Sequence, residues 1–277
     1  MTSTILASIL EKKKQRVAAA REKTPLDEMR RKAFGTRNIR PGNALRNALS
    51  DSSGINIIAE IKRASPSRGV INDGIDPSNT ARNYELGGAK AISVLTEEDF
   101  FAGSLADLEA VRKAVTVPIL RKDFILHEFQ IFEAAAAGAD AVLLIAAMLD
   151  YSALERLYRI AESELGLDAL VEVHTLPELE IADKLGASLI GVNNRNLKTF
   201  EVSLDVSRAL VKQKPGNALM IAESGLANRA DLIELKDRGY SGFLIGETLM
   251  KSGDPVNELR KLISITSDNA NGGNTSK

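Results

Sequence analysis

The segment Asn56-Ile57-Ile58-Ala59-Glu60-Ile61-Lys62-Arg63-Ala64-Ser65-Pro66-Ser67 carries the clearest structural signal in this chain. Its apolar half is typical of a buried strand, which Ser-Pro-Ser then ends. Side chains alternate along a strand, so Glu60 and Lys62 project to the same side. Charged side chains are seldom buried unless they are paired or used. The pair is therefore either a solvated ion pair at a strand end or part of a site, and the segment alone does not decide between the two.

Further apolar runs follow this one, separated by segments with helical periodicity. The runs are continuous rather than alternating, as in parallel strands covered on both faces. The predicted strands are Asn56–Ile61, Ala91–Thr96, Val117–Lys122, Ala141–Ala146, Ala169–Val173, Leu189–Asn193, Ala218–Glu223 and Gly242–Gly246. The predicted helices include Leu105–Val115, Glu128–Ala137, Tyr151–Leu165, Leu176–Leu185, Leu204–Lys212 and Arg229–Arg238. Alternating strands and helices in this number favour an α/β fold of the (β/α)8 TIM barrel type over an open sheet.

The regions outside the predicted barrel differ from it in composition. Residues 1–53 are helical and highly charged, the barrel spans residues 54–266, and residues 267–277 form a low-complexity tail that we expect to be disordered. We expect a single catalytic domain. The basic residues Lys12, Lys13, Lys14 and Arg16 favour a solvated face of a helix that packs on the barrel; the alternative is that they gather an anionic substrate.

Composition excludes several classes of function. The formal net charge is −1, which does not indicate a nucleic-acid or membrane-surface protein. There is no cysteine, so disulfides, thiolate catalysis and cysteine-ligated metals are excluded. Neither a GxGxxG nor a GxxxxGK[ST] motif is present, so no nucleotide cofactor is indicated. No secretory signal is visible, and we expect a cytoplasmic protein without an obligate protein partner.

Polar residues recur where the predicted strands end, which is the edge that carries the active site in TIM barrels. They are Glu60 and Lys62, Arg121 to Asp123, Glu172 and His174, Asn193 to Asn196, Glu223 to Gly225, and Gly246 with Glu247. A ring of ion pairs that only plugs the barrel is the structural alternative. A shared pocket explains the pattern better, because so many unpaired charges at one mouth are costly.

The acid–base candidates of this pocket are Lys122, Lys62, Glu172 and Glu60. Burial would lower the pKa of Lys122 and let it donate a proton near neutral pH. A buried lysine can equally form a Schiff base, so a class I aldolase is a competing function. We expect His127 to cap a helix or lie at the surface and His174 to point away from the pocket; two separated histidines make a transition-metal site improbable. Gly225 and Gly246 follow consecutive strands, where such barrels commonly hold phosphate.

Several of these segments together resemble one known family. Ile58-Ala59-Glu60-Ile61-Lys62-Arg63-Ala64-Ser65-Pro66-Ser67-Arg68-Gly69 is similar to the signature of the indole-3-glycerol phosphate synthases. Four further segments match in order: Pro118-Ile119-Leu120-Arg121-Lys122-Asp123-Phe124, Val171-Glu172-Val173-His174, Ile190-Gly191-Val192-Asn193-Asn194-Arg195-Asn196-Leu197 and Ala222-Glu223-Ser224-Gly225. The resemblance extends from the N-terminal helices to about Leu262.

The resemblance implies a cofactor-free carbon–carbon carboxy-lyase of tryptophan biosynthesis. Its small-molecule substrate, 1-(2-carboxyphenylamino)-1-deoxyribulose 5-phosphate, is converted into indole-3-glycerol phosphate, CO2 and water. The implied general acid is Lys122, and Glu172 with Lys62 or Lys122 handles the proton transfers of dehydration. The resemblance also implies that Glu60 and Asn193 orient the catalytic groups and the substrate hydroxyls. The implied contacts for the substrate anions are Lys62, Ser65 and Arg195, and those for the phosphate are Ser224, Gly225 and Gly246. The implied walls of the slot for the aromatic ring are Phe100, Phe124, Leu143 and Leu197.

Two local features carry further expectations. A carboxylate beside a phosphate is unfavourable, so we expect Glu247 to turn away from the phosphate and leave only backbone contacts there. The segment from Arg63 to Asp73 is similar to the loop after the first strand, and we expect it to close over the substrate.

Overall fold

A computed structural model describes residues 5–38, 40, 42–66 and 69–264 of the chain. The expected disordered tail, 267–277, lies outside the described residues. Within them, eight parallel strands close into a barrel in which each strand pairs with the next and the last pairs with the first. The strands are β1 (Ile57–Ile61), β2 (Ala91–Leu95), β3 (Ile119–Lys122), β4 (Ala141–Ile145), β5 (Asp168–Val173), β6 (Leu189–Asn193), β7 (Leu219–Glu223) and β8 (Gly242–Ile245).

Helices connect consecutive strands and cover the outside of the barrel. They are α4 (Pro77–Leu86), α5 (Leu105–Ala114), α6 (Glu128–Ala136), α7 (Tyr151–Arg159), α8 (Leu176–Leu185), α9 (Asp205–Leu210), α10 (Arg229–Asp237), α11 (Glu247–Lys251) and α12 (Pro255–Ile263); α1 (Ile5–Lys23), α2 (Leu26–Arg37) and α3 (Ala44–Leu49) precede the barrel. The TIM-barrel prediction is confirmed. Many of these helices begin at a side chain that accepts a backbone N–H, such as Asp76, Ser104 and Thr175.

The interior of the barrel is filled at its lower end, the end at which the strands begin. Side chains from the strands, including Ile58, Leu120 and Leu170, form a buried cluster together with Leu45 and Leu49 of α3. The carboxylate of Asp168 holds this helix in place, because it accepts the backbone N–H groups of Leu45 at 2.8 Å and Arg46 at 3.1 Å. With the lower end closed, space remains only at the end where the strands terminate, in the part of the chain that the structure describes.

The N-terminal helices pack on the barrel at two places. The rings of Phe34 in α2 and Phe132 in α6 have centroids 6.4 Å apart. In α1, Lys13 is 3% exposed and forms ion pairs with Asp123 at 2.8 Å and Glu98 at 3.1 Å. The expectation of a solvated basic face is therefore wrong for Lys13, because the two carboxylates give its buried ammonium partners.

The segment after β1 forms a short hairpin of strands Ala64–Ser65 and Gly69–Val70, while Ser67 and Arg68 lie outside the described residues. Arg63 anchors the base of this hairpin by an ion pair with Asp107. Among the described residues, no helix is both long and apolar enough to span a lipid bilayer.

Candidate active site

A cavity of about 390 Å³ opens at the ends of the barrel strands, as the sequence predicts. Except for Phe100, the predicted site residues all line it: Glu60, Lys62, Ser65, Lys122, Phe124, Leu143, Glu172, Asn193, Arg195, Leu197, Ser224, Gly225 and Gly246. They come from β1, β3, β4, β5, β6, β7, β8 and the loops that follow. The barrel thus brings together side chains that are far apart in sequence.

The ammonium of Lys122 lies at the centre of the polar part of this cavity. Its Nζ is 3.3 Å from Oε2 of Glu172 and 3.2 Å from Oε2 of Glu223. The side chains of the two glutamates are 2% and 1% exposed, against 14% for Lys122. Lys122 is thus an accessible proton carrier in front of two buried carboxylates.

The second oxygen of Glu172, Oε1, faces two other groups. The side-chain amide of Asn193 donates to it at 3.1 Å, and Nε2 of His174 lies 3.3 Å away. His174 does not line the cavity, in agreement with the expectation that it points away from the pocket. It nevertheless contacts the carboxylate of Glu172, because it stands two residues beyond Glu172 and projects to the same side.

The charged pair at the end of β1, Glu60 and Lys62, also lines the cavity. Nζ of Lys62 donates to Oε1 of Glu60 at 2.6 Å, and their side chains are 18% and 6% exposed. This ion pair is not on a solvated edge. A Cβ at position 246 would lie 2.6 Å from Oε1 of Glu60, so the glycine there leaves room for the carboxylate.

The charges around Lys122 fix its protonation state. Burial alone would lower the pKa of Lys122, but the carboxylates of Glu223, Glu172 and Glu60 outweigh burial and raise it above the ordinary lysine value. The lowered pKa expected from desolvation is therefore wrong. Burial raises the pKa of Glu223 to about 7, with the negative charges of Glu172 and Glu60 adding to the effect and Lys122 opposing it.

The other carboxylates are held in the ionised form. Burial would raise the pKa of Glu172, but Lys122, His174 and Asn193 outweigh it and hold that pKa well below its usual range. Burial also opposes ionisation of Glu60, where the positive charges of Lys62 and Lys122 prevail and lower the pKa. The site therefore combines a charged ammonium with an ionised carboxylate, which is the equipment of an acid–base catalyst.

Apolar side chains line the same cavity as these charged groups. The rings of Phe101 and Phe124 have centroids 6.0 Å apart, and Leu143 and Leu197 are further lining residues. Phe100 does not line the cavity. The backbone N–H groups of Phe100 and Phe101 both donate to Oε2 of Glu97 in a tight turn, and of these two neighbours Phe101 is the one that faces inward.

The loops after β7 and β8 form the rim. Ser224 and Gly225 both adopt left-handed backbone, with φ of 64° and 78°, and Gly246 precedes α11. Glu247 pairs with Lys251 one turn along this helix at 2.6 Å, and both residues border the cavity. Whether Glu247 turns away from a bound phosphate remains a prediction.

Comparison with known proteins decides the family. A model of the family "Indole-3-glycerol phosphate synthase" matches residues 6–262. The proteins of that name from Mycolicibacterium gilvum and Desulfosudis oleivorans are 49% and 45% identical, over 95% and 94% of this chain and 95% and 98% of theirs. The chain belongs to the indole-3-glycerol phosphate synthase family. The family and the lyase activity of tryptophan biosynthesis that the sequence resemblance implies are thus confirmed.

Solved structures of more distant proteins share only the fold of this chain. A thiamine phosphate pyrophosphorylase from Pyrococcus furiosus is 20% identical, with a TM-score of 0.57, and covers 79% of this chain and 95% of its own. A 3-hexulose-6-phosphate synthase from Salmonella typhimurium is 15% identical, with a TM-score of 0.60, and covers 75% of this chain and 96% of its own.

Two residues of the synthase contact the proposed acid–base pair although sequence reasoning assigned them no role. Glu223 stands among the polar strand ends, but its contact with Lys122 depends on the closure of the barrel. His174 follows Glu172 by two positions, so strand alternation was the available signal for it. In α1, Ile5, Leu6 and Ile9 line the cavity, so the N-terminal extension also contributes to the site.

Proposed function

We propose that this cavity closes the indole ring of 1-(2-carboxyphenylamino)-1-deoxyribulose 5-phosphate, with Lys122 as general acid. The observation that carries the proposal is the position of the Lys122 ammonium, between Glu172 and Glu223 in a cavity that aromatic and apolar side chains also line. As the ring carbon attacks the ketone, the ketone oxygen becomes an alkoxide. An alkoxide is a stronger base than an amine, so a lysine that stays protonated can transfer its proton.

Decarboxylation follows on the apolar side. The electrons of the bond to the carboxylate return to the ring as CO2 leaves, and a surrounding that does not solvate the carboxylate favours this step. Phe101, Phe124, Leu143 and Leu197 are the proposed walls for the ring, with Phe101 in place of Phe100. Lys62, Ser65 and Arg195 are the proposed contacts for substrate anions.

The final dehydration needs a base and an acid. Glu172 is ionised and is the proposed base for the methylene group beside the nitrogen, and Lys62 or Lys122 protonates the departing hydroxyl. Glu60 and Asn193 orient these groups. Ser224 and the backbone N–H groups of Gly225 and Gly246 are the proposed phosphate contacts.

We also propose that the enzyme works in the cytoplasm, acts on a small phosphorylated substrate and needs no obligate protein partner.

A fluorescence assay of indole formation from this substrate tests the function, and well-folded protein without turnover would contradict it. An aldolase would instead form a Schiff base. Borohydride in the presence of substrate is therefore expected to leave Lys122 and Lys62 unmodified, and a trapped adduct on either lysine would favour the aldolase.

A further inference from the structure

A chain of titratable side chains runs from the back of the active site to the protein surface. Nδ1 of His174 lies 3.2 Å from Oε2 of Glu178, which also accepts the backbone N–H of His174 at 2.7 Å. Nε2 of His174 lies 3.3 Å from Oε1 of Glu172, and Oε2 of Glu172 lies 3.3 Å from Nζ of Lys122. Four side chains, from β3, β5, the loop after β5 and α8, therefore lie in a row in which each is within 3.3 Å of the next.

The two ends of this chain open to different places. Lys122 is 14% exposed and lines the cavity, Glu178 is 18% exposed and does not line it, and Glu172 and His174 between them are 2% and 11% exposed. Glu178 stands in the first turn of α8, and neither it nor His174 lines the cavity. At the Glu178 end, the chain thus reaches solvent outside the cavity that a substrate occupies.

The proposed reaction requires a proton from solvent in every turnover. The ketone oxygen leaves as water and takes up two protons, while the methylene group beside the nitrogen gives up one. The carboxylate leaves as neutral CO2 without a proton, and its bonding electrons stay in the ring. One proton per turnover must therefore enter the site, and it must restore a lysine that has donated.

We propose that Glu178, His174 and Glu172 form an entry path that carries this proton from solvent to Lys122. His174 passes the proton from its Nε2 to Glu172, which passes it to the neutral amine of Lys122. The neutral ring that remains carries its proton on Nδ1 and has a bare Nε2; it turns about its Cβ–Cγ bond toward the solvent beside Glu178, takes up a proton at Nε2 and turns back. The proposal rests on the proposed function, since it is the loss of CO2 from a carboxylate that makes proton uptake necessary.

The surroundings of His174 suit this role. Burial would lower the pKa of His174, but its contacts with Glu172 and Glu178 outweigh burial and raise the pKa to about 9. His174 therefore holds a proton at neutral pH. The buried Nε2 of His174 lies 3.3 Å from Oε1 of Glu172 but is not aligned for a hydrogen bond with it. A small rotation of the His174 or the Glu172 side chain would form this hydrogen bond and complete the path.

The test separates the first turnover from the following ones in His174→Gln, whose amide keeps polar contacts but does not carry a proton. Ring closure in the first turnover uses the proton already on Lys122 and does not use Glu172 as a base, so the rate of this step, taken as the first-turnover rate, is expected to stay within about twofold of wild type. The steady-state rate is expected to fall at least about tenfold, with a larger solvent deuterium isotope effect. Added imidazole is expected to restore the steady-state rate of His174→Ala.

The other histidine provides a matched control. His127 caps α6, with its Nδ1 accepting the N–H of Phe129 at 3.0 Å, which confirms its predicted role. His127→Gln is expected to keep wild-type values for both rates. Glu178→Gln is the second variant of the path and is expected to reproduce the steady-state defect, which keeps the test valid if His174→Gln does not fold.

Three results would overturn the path. One is a wild-type steady-state rate in folded His174→Gln, another is an equal fall of the first-turnover and steady-state rates, and the third is no response of His174→Ala to imidazole. Wild-type protein that never converts the substrate would instead refute the proposed function, so the two failures are distinguishable.

Discussion

The carboxylate of Glu223 occupies the space that a side chain at position 191 would need, and residue 191 is a glycine. A Cβ at position 191 would overlap Oε1 of Glu223. The two residues lie on the neighbouring strands β6 and β7, where Gly191 pairs with Ile221. The glycine therefore allows Glu223 to reach Lys122, although Gly191 itself does not line the cavity.

Gly191→Ala is expected to lower kcat/KM for the ring-closing substrate. The added methyl group would displace the Glu223 carboxylate and with it the ammonium of Lys122, and a misplacement of about 1 Å can cost on the order of 100-fold in rate. Gly216→Ala is the matched control, because a Cβ there meets nothing within 4 Å. Steady-state kinetics of both variants test the idea. Equal activity of Gly191→Ala and wild type would mean that the position of Glu223 does not matter.

Glu223→Gln is expected to change how stability depends on pH. The folded-state pKa of Glu223 is raised to about 7, so its contribution to stability is present below the unfolded value and is lost as pH rises through about 7. The variant lacks this loss. Urea unfolding at pH 5 and pH 8 should therefore show the variant gaining stability relative to wild type at the higher pH. A constant difference between the two proteins would contradict the raised pKa.

Lys13→Met is expected to destabilise the protein and weaken substrate binding together. Removing the ammonium leaves the buried carboxylate of Asp123 without one of its ion pairs, at a cost of about 3 kcal/mol. It also loosens α1, which carries Ile5, Leu6 and Ile9 into the cavity wall. Chemical unfolding and KM measure the two effects, and Lys14→Met on the exposed side of the helix is the control. An unchanged KM in folded Lys13→Met would mean that α1 does not shape the substrate site.

The fold could be predicted because local and global signals agree. Each barrel strand is a continuous apolar run, and each predicted strand overlaps an observed one to within two residues at either end. Helix α8 begins and ends where the sequence predicts, since Thr175 caps its start and Gly186 at φ 75° ends it. The short hairpin after β1 was not predicted, because strands of two residues leave no periodicity in the sequence.

The site could be predicted as far as strand ends determine it. Lys122, Glu172 and Asn193 follow from their positions at the ends of β3, β5 and β6. The choice of Phe101 over Phe100 depends on a turn around Glu97, which no strand pattern specifies. The sign of the pKa shift of Lys122 depends on three carboxylates that meet only in the closed barrel.

The single-turnover rate of Lys122→Ala tests the central claim most directly. We expect ring closure to fall by several orders of magnitude, at least about 1000-fold, because no other ammonium occupies the position between Glu172 and Glu223 among the described residues. Product should still bind, and Lys90→Ala, at the opposite end of the barrel beside the start of β2, should keep the wild-type rate. A folded Lys122→Ala variant that closes the ring at near wild-type rate would show that Lys122 is not the general acid.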